Sequence, residues 1–214
     1  MMNKIFDPEG LFAQIMNVIL GLILVNVLWI ICSLPIVTLG ASTTALYSVL
    51  LRLRDGDDTK MVRRFFVAFA TNFKRATAVW LVVLLGMIVC GLDLYFATQM
   101  DSGIARVIAG FGMVLVAMVF TFVFILVARY DNTWRNHLKN ALLIAMGHVP
   151  RLLLSWLLWG AAVFLTMYSA NTMYIMVLMW LMAGVSCLCY ANLMIFTPAL
   201  RKLEPPAEET ETEE

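Results

Sequence analysis

Residues 33–54, SLPIVTLGASTTALYSVLLRLR, decide the fold, because whether they cross a membrane sets the side on which the chain begins. Ser33-Leu34-Pro35 leaves almost no loop after the apolar run at 11–32, and 36–53 as a helix is about 27 Å long at 1.5 Å per residue. That is just enough for a hydrocarbon layer about 30 Å thick. Runs at 76–97, 104–127, 152–170 and 173–197 are each long enough to cross, the last two joined by a polar link at Asn171 and Thr172. With 62% of residues apolar against roughly 45–50% in soluble domains, the expectation is an all-α, polytopic helical membrane protein with about six spans over residues 1–202.

Charge supports six crossings. They put Lys4, then Arg52, Arg54, Lys60, Arg63, Arg64, Lys74 and Arg75, then Arg129, Arg135, Lys139 and Arg151, then Arg201 and Lys202 on one face, leaving only Arg106 opposite. Lys and Arg accumulate on the cytoplasmic side, so both termini are expected there. A re-entrant 36–53 would move only Lys4 across. The first run is longer than the apolar core of a secretory signal and follows a single basic residue, so it reads as a span that is retained. Cys32, Cys90, Cys187 and Cys189 lie in or beside apolar runs and read as small hydrophobes. Cys187 and Cys189 are two residues apart, so they do not share a helix face.

Two basic connections carry amphipathic patterns. Val62, Phe65, Phe66, Phe69 and Phe73 recur at helical spacing among Arg63, Arg64, Lys74 and Arg75. This predicts a separate interfacial helix with its aromatic face at the headgroups and its basic residues on anionic lipid or on a partner protein. Tyr130, Trp134, His137, Leu138, Ala141, Leu142 and Ala145 form a second stripe beside Arg135 and Lys139. A shift of 76 residues superposes Arg63 on Lys139, Arg75 on Arg151 and Trp80-Leu81 on Trp156-Leu157, a match that chance explains as readily as duplication. Residues 203–214 form an acidic tail, expected to be disordered, that masks the basic charge of the rest.

Polar residues within the spans are candidate binding groups, because burying them in lipid is costly. Asn26 and Asn192 read first as hydrogen-bonding links between helices. Asp93 reads as reaching an interface beside Asp101 and Arg106. Thr38, Ser42, Thr43 and Thr44 cluster around Gly40, where a helix begins after Pro35. Capping and a close helix crossing explain them better than a bound anion or sugar hydroxyl. The chain has no phosphate-binding loop, no H-E-x-x-H and no G-x-S-x-G, and it offers no paired intramembrane carboxylates, so no enzyme activity, metal or cofactor is expected.

Asn26-Val27-Leu28-Trp29, Ser33 to Ala41, Thr44-Ala45-Leu46-Tyr47, Arg64-Phe65-Phe66, Phe69 and Asn72-Phe73-Lys74 together resemble the signature of the YesL family of bacterial membrane proteins. The resemblance implies a Gram-positive, Firmicutes-like source and genes beside carbohydrate ABC-transporter components, and it carries no reaction. The expectation is a non-enzymatic accessory or regulatory component of carbohydrate ABC transport in the bacterial cytoplasmic membrane. Its expected partners are membrane lipids and the membrane subunits of a sugar transporter, with no nucleic acid. The alternative is an autonomous small-solute transporter or channel.

Overall fold

Wherever its apolar runs are uninterrupted the chain forms helix, and it turns at Pro35 and where a capping hydroxyl intervenes. The structure, a computed structural model, describes residues 11–57, 59–100 and 102–201. Lys4, Asp101, Lys202 and the acidic tail lie outside them. Helix α1 (Leu11–Ser33) stops before Pro35, and a 3-10 turn (Ile36–Thr38) leads into α2 (Leu39–Arg54). Then come α3 (Met61–Gln99), α4 (Gly103–Arg129), α5 (Trp134–Gly147), α6 (Val149–Met167), α7 (Ala170–Met179) and α8 (Val185–Arg201). A π-helical turn (Trp180–Gly184) joins the last two. Six helical stretches are long and apolar enough to cross a membrane, and no strand occurs among the described residues. The protein is an all-α, multi-pass membrane protein.

Among the described residues three helix starts have side-chain caps, the first at α4, where the Ser102 hydroxyl accepts the Ala105 backbone N–H. The Thr133 hydroxyl accepts the Asn136 backbone N–H to open α5, and Ser169 with Thr172 forms a reciprocal capping box on α7. Pro150 lies in the first turn of α6, where a missing N–H breaks no helical bond.

The stretch that decided the sequence reading is the centre of the bundle. Helix α2 buries Ala41, Ser42, Ala45, Leu46, Val49 and Leu50, and the turn before it is held by Trp80, whose indole N–H donates to the Ile36 carbonyl at 2.8 Å. Gly40 makes this approach possible. A Cβ there would lie 2.5 Å from Trp80 Cβ and 2.6 Å from the Ala76 carbonyl oxygen, so α2 and α3 touch backbone to backbone.

The first amphipathic segment corrects one expectation. It is not a separate interfacial helix. Residues 61–99 contain no proline, so they form one helix of 39 residues, about 58 Å long. The second amphipathic segment is separate from its span because Pro150 follows it; the residue superposed on Pro150 in the first half is Lys74. The aromatic face also differs from expectation: Phe65 is fully buried and Phe69 half-buried, while Phe66 and Phe73 are exposed. In α5, His137, Ala141, Ile144 and Ala145 turn inward against the bundle, which leaves Trp134, Arg135 and Lys139 exposed.

Helix α3 is twice as long as its neighbour needs. Gly21 meets Met61, and Trp80 meets the turn at Ile36, so the α1–α2 hairpin ends level with the middle of α3. Beyond it, α3 and α4 continue as a two-helix arm in which Gly86 faces Val116 and Gly112 faces Cys90. Its α3 segment, 81–99, is about 28 Å long. The arm is apolar on its outer faces: Leu85, Ile88, Leu92, Ile104, Val107 and Phe111 are all exposed.

Candidate functional site

Toward the basic ends of the helices the core is solid. Leu46, Leu50, Phe65, Ile125, Leu193 and Leu200 have no exposed surface, and Phe122 and Phe196 pack with ring centroids 4.2 Å apart. On the other side of this plug the helices diverge around a chamber of about 480 Å³. Trp29 of α1, Trp80 of α3, Phe120 and Phe124 of α4, and Trp156 and Trp159 of α6 supply its aromatic walls. Helix α6 is held off the bundle by these rings: the Trp156 N–H reaches Thr121 Oγ1 of α4 at 3.0 Å, and Trp159 stacks on Trp180 at 6.2 Å. Trp80 and Trp156, the pair related by the 76-residue shift, line the same chamber.

The polar groups of the chamber are few and mostly satisfied. Thr43 Oγ1 accepts the Trp29 N–H at 3.1 Å and donates to the Leu39 carbonyl, and Thr121 donates likewise to Ala117 while accepting from Trp156. Tyr47, Cys189 and Asn192 also line the chamber. Two buried atoms are left unmet: Ser155 Oγ and Asn192 Oδ1 have no partner, and their residues are 0% and 3% exposed. Both residues line the chamber, and no charged residue does.

The predicted polar candidates therefore separate. Thr43 and Asn192 come together in the chamber. Asn26 does not join them. It is fully buried, its Nδ2 donates to the carbonyls of Trp180 and Leu181 at 3.0 Å, and its Oδ1 accepts the Ser186 N–H at 3.0 Å. A π-turn displaces the regular hydrogen-bond ladder, and this carboxamide supplies the missing partners. Thr38 donates to the Cys32 and Pro35 carbonyls and Ser42 to the Thr38 carbonyl, so these hydroxyls tie the hairpin turn together. Thr44 is buried with its Oγ1 unpartnered, away from the chamber lining. Asp93 is exposed on the arm, and its expected neighbour Asp101 lies outside the described residues.

At the opposite end, α2, the following turn, α3 and α4 enclose a basic cleft of about 780 Å³ lined by Arg52, Lys60, Arg63 and Arg129. Arg54 and Arg64 line it too, Arg54 pairing with Asp55 at 2.7 Å and Arg64 with Asp57 at 2.6 Å. Lys74 is exposed further along α3, and Arg75 pairs with Asp131 at 2.7 Å, fastening α3 to the α4–α5 connection. His137 is buried beside this pair; burial first, and the Arg75 charge second, hold its imidazole below the usual pKa. Among the described residues no group of three His, Cys, Asp or Glu side chains could hold a metal ion.

The sequence reading missed Tyr47, Trp80, Thr121, Ser155, Trp156 and Trp159. Trp80 and Trp156 lie near the starts of the runs at 76–97 and 152–170, where membrane spans are commonly rich in tryptophan whether or not it lines a cavity. The available signal was the superposition of Trp80 on Trp156.

Residues 22–94 match a family model described as "Protein of unknown function, DUF624". The match takes in Trp29, Thr43, Tyr47 and Trp80 of the chamber and Arg52 to Arg64 of the cleft, but not the chamber residues of α4, α6 and α8. Neither a curated protein nor a solved structure matches the chain.

Proposed function

We propose that the protein is a non-enzymatic accessory or regulatory subunit in the bacterial cytoplasmic membrane, bound to the membrane subunits of a carbohydrate ABC transporter, with its basic helix ends in the cytoplasm. The apolar α3–α4 arm carries this reading. Its exposed side chains are what lipid or another protein's spans would cover, and Gly91 and Gly110 face open space. Small residues on an outer helix face let a second helix approach closely, which is how membrane helices associate when lipid is as apolar as they are. The YesL-like sequence at 26–74 adds the link to sugar importers. The basic cleft and exposed Lys74, Arg135 and Lys139 add attraction to anionic lipid at the cytoplasmic surface.

An autonomous sugar conduit is the weaker reading. The plug of Leu46, Leu50, Phe122 and Phe196 closes the chamber toward the basic end, and its unmet polar atoms are too few to replace the water around a sugar's hydroxyls. The test is uptake into vesicles containing the purified protein alone. No saturable sugar uptake is expected; uptake lost on Thr43→Ala or Asn192→Leu would restore the transporter reading.

A further inference from the structure

The chamber has the chemistry of a binding site for a small lipid-soluble molecule. Its walls are indole and phenyl rings from four helices, its volume is about 480 Å³, and it contains no charged side chain. An ion is disfavoured there, because nothing would compensate for its lost hydration. Thr43 and Thr121 are already committed, each donating to its own helix and accepting from a tryptophan. What remains is Ser155 Oγ, which can donate or accept, and Asn192 Oδ1, which only accepts. Buried polar atoms of native proteins almost always find partners, so two unmet atoms on residues that line one cavity ask for a ligand with a matching donor. A polyhydroxylated sugar would bring more hydroxyls than these atoms can satisfy. Phe120 lines the chamber and is 37% exposed on an apolar span, so one wall of the chamber reaches the outer apolar surface of the bundle.

We propose that this chamber binds a neutral, lipid-soluble ring alcohol of the phenol class, its ring packed among Trp29, Trp156, Trp159 and Phe124 and its hydroxyl donating to Asn192 Oδ1 or engaging Ser155 Oγ. The assignment rests on the chamber alone, so its test is separate from any test of the transporter partner.

The tryptophans of the wall provide the readout. The purified full chain in detergent is titrated with thymol, with p-cymene, which is the same ring without the hydroxyl, and with glucose, following indole emission at matched micellar concentrations. Thymol is expected to give a saturable change, p-cymene to bind about tenfold more weakly, as the loss of one buried hydrogen bond implies, and glucose to give none. Asn192→Leu, or Ser155→Ala should the first variant fail to purify as a single species, is expected to shrink the preference for thymol. Equal responses to thymol and p-cymene, a saturable response to glucose, or no saturable response to thymol would each overturn the assignment, as would a preference unchanged in both variants.

Discussion

The Asn26 carboxamide and the Ser186 backbone amide are joined by a 3.0 Å hydrogen bond across 160 residues of sequence, and the same side chain holds two carbonyls of the π-turn. Ser186 returns the link by donating from its hydroxyl to the Leu22 carbonyl at 2.7 Å. The first helix and the last are thus stitched together where the last departs from regular geometry. Asn26→Leu would roughly keep the volume and remove the partner of three backbone groups, the Trp180 and Leu181 carbonyls and the buried Ser186 N–H. It is expected to cost about 1–3 kcal/mol, read as a lower thermal unfolding midpoint in detergent. An unchanged midpoint would mean that the π-turn satisfies itself.

Gly40 and Gly91 make a matched pair of tests. Gly40→Ala must push Trp80 or the Ala76 backbone aside and is expected to destabilise by roughly 1–3 kcal/mol. A Cβ at Gly91 meets nothing within 4 Å, so Gly91→Ala in the purified protein is expected to be neutral or slightly stabilising through helix propensity. Thermal unfolding of the two variants side by side reads the difference.

The environment of His137 predicts a pH dependence. Its pKa in the folded protein lies below the reference 6.5, so the unfolded chain binds the proton more readily. Stability from this residue is therefore complete above pH 6.5 and falls as pH drops toward the folded value. Lowered pH should loosen α5 from α3 and α4 first, because Arg75 and Asp131 are the charges beside it. His137→Gln should flatten the dependence of the unfolding midpoint on pH below 6.5; the same slope in the variant would assign it elsewhere.

Most of the helical plan was legible from apolar run length, and Pro35 marked one of its breaks. The extent of α3 was not. Basic residues at 63, 64, 74 and 75 suggested a helix lying on the surface, but charge does not interrupt a helix, and nothing between Met61 and Gln99 removes a backbone bond. For the site, Thr43 and Asn192 were visible as polar residues in apolar runs, whereas Ser155, Trp156 and Trp159 were not. Their meaning depends on α6 standing off from α4, a distance that no single-span pattern encodes. Asn26 and Asn192 look alike in sequence and differ in structure: one fills its hydrogen bonds with backbone, and the other, on a residue lining the chamber, leaves an oxygen without a partner.

The most direct test of the accessory role is purification of the tagged full chain from its native host in mild detergent, comparing wild type with Gly91→Leu and Gly110→Leu. The account predicts recovery of sugar-importer membrane subunits at a fixed ratio with wild type, and their loss with the leucine variants while the protein itself remains monodisperse. Recovery of the wild-type chain alone as one monodisperse species, with saturable sugar uptake when it is placed in vesicles, would contradict it.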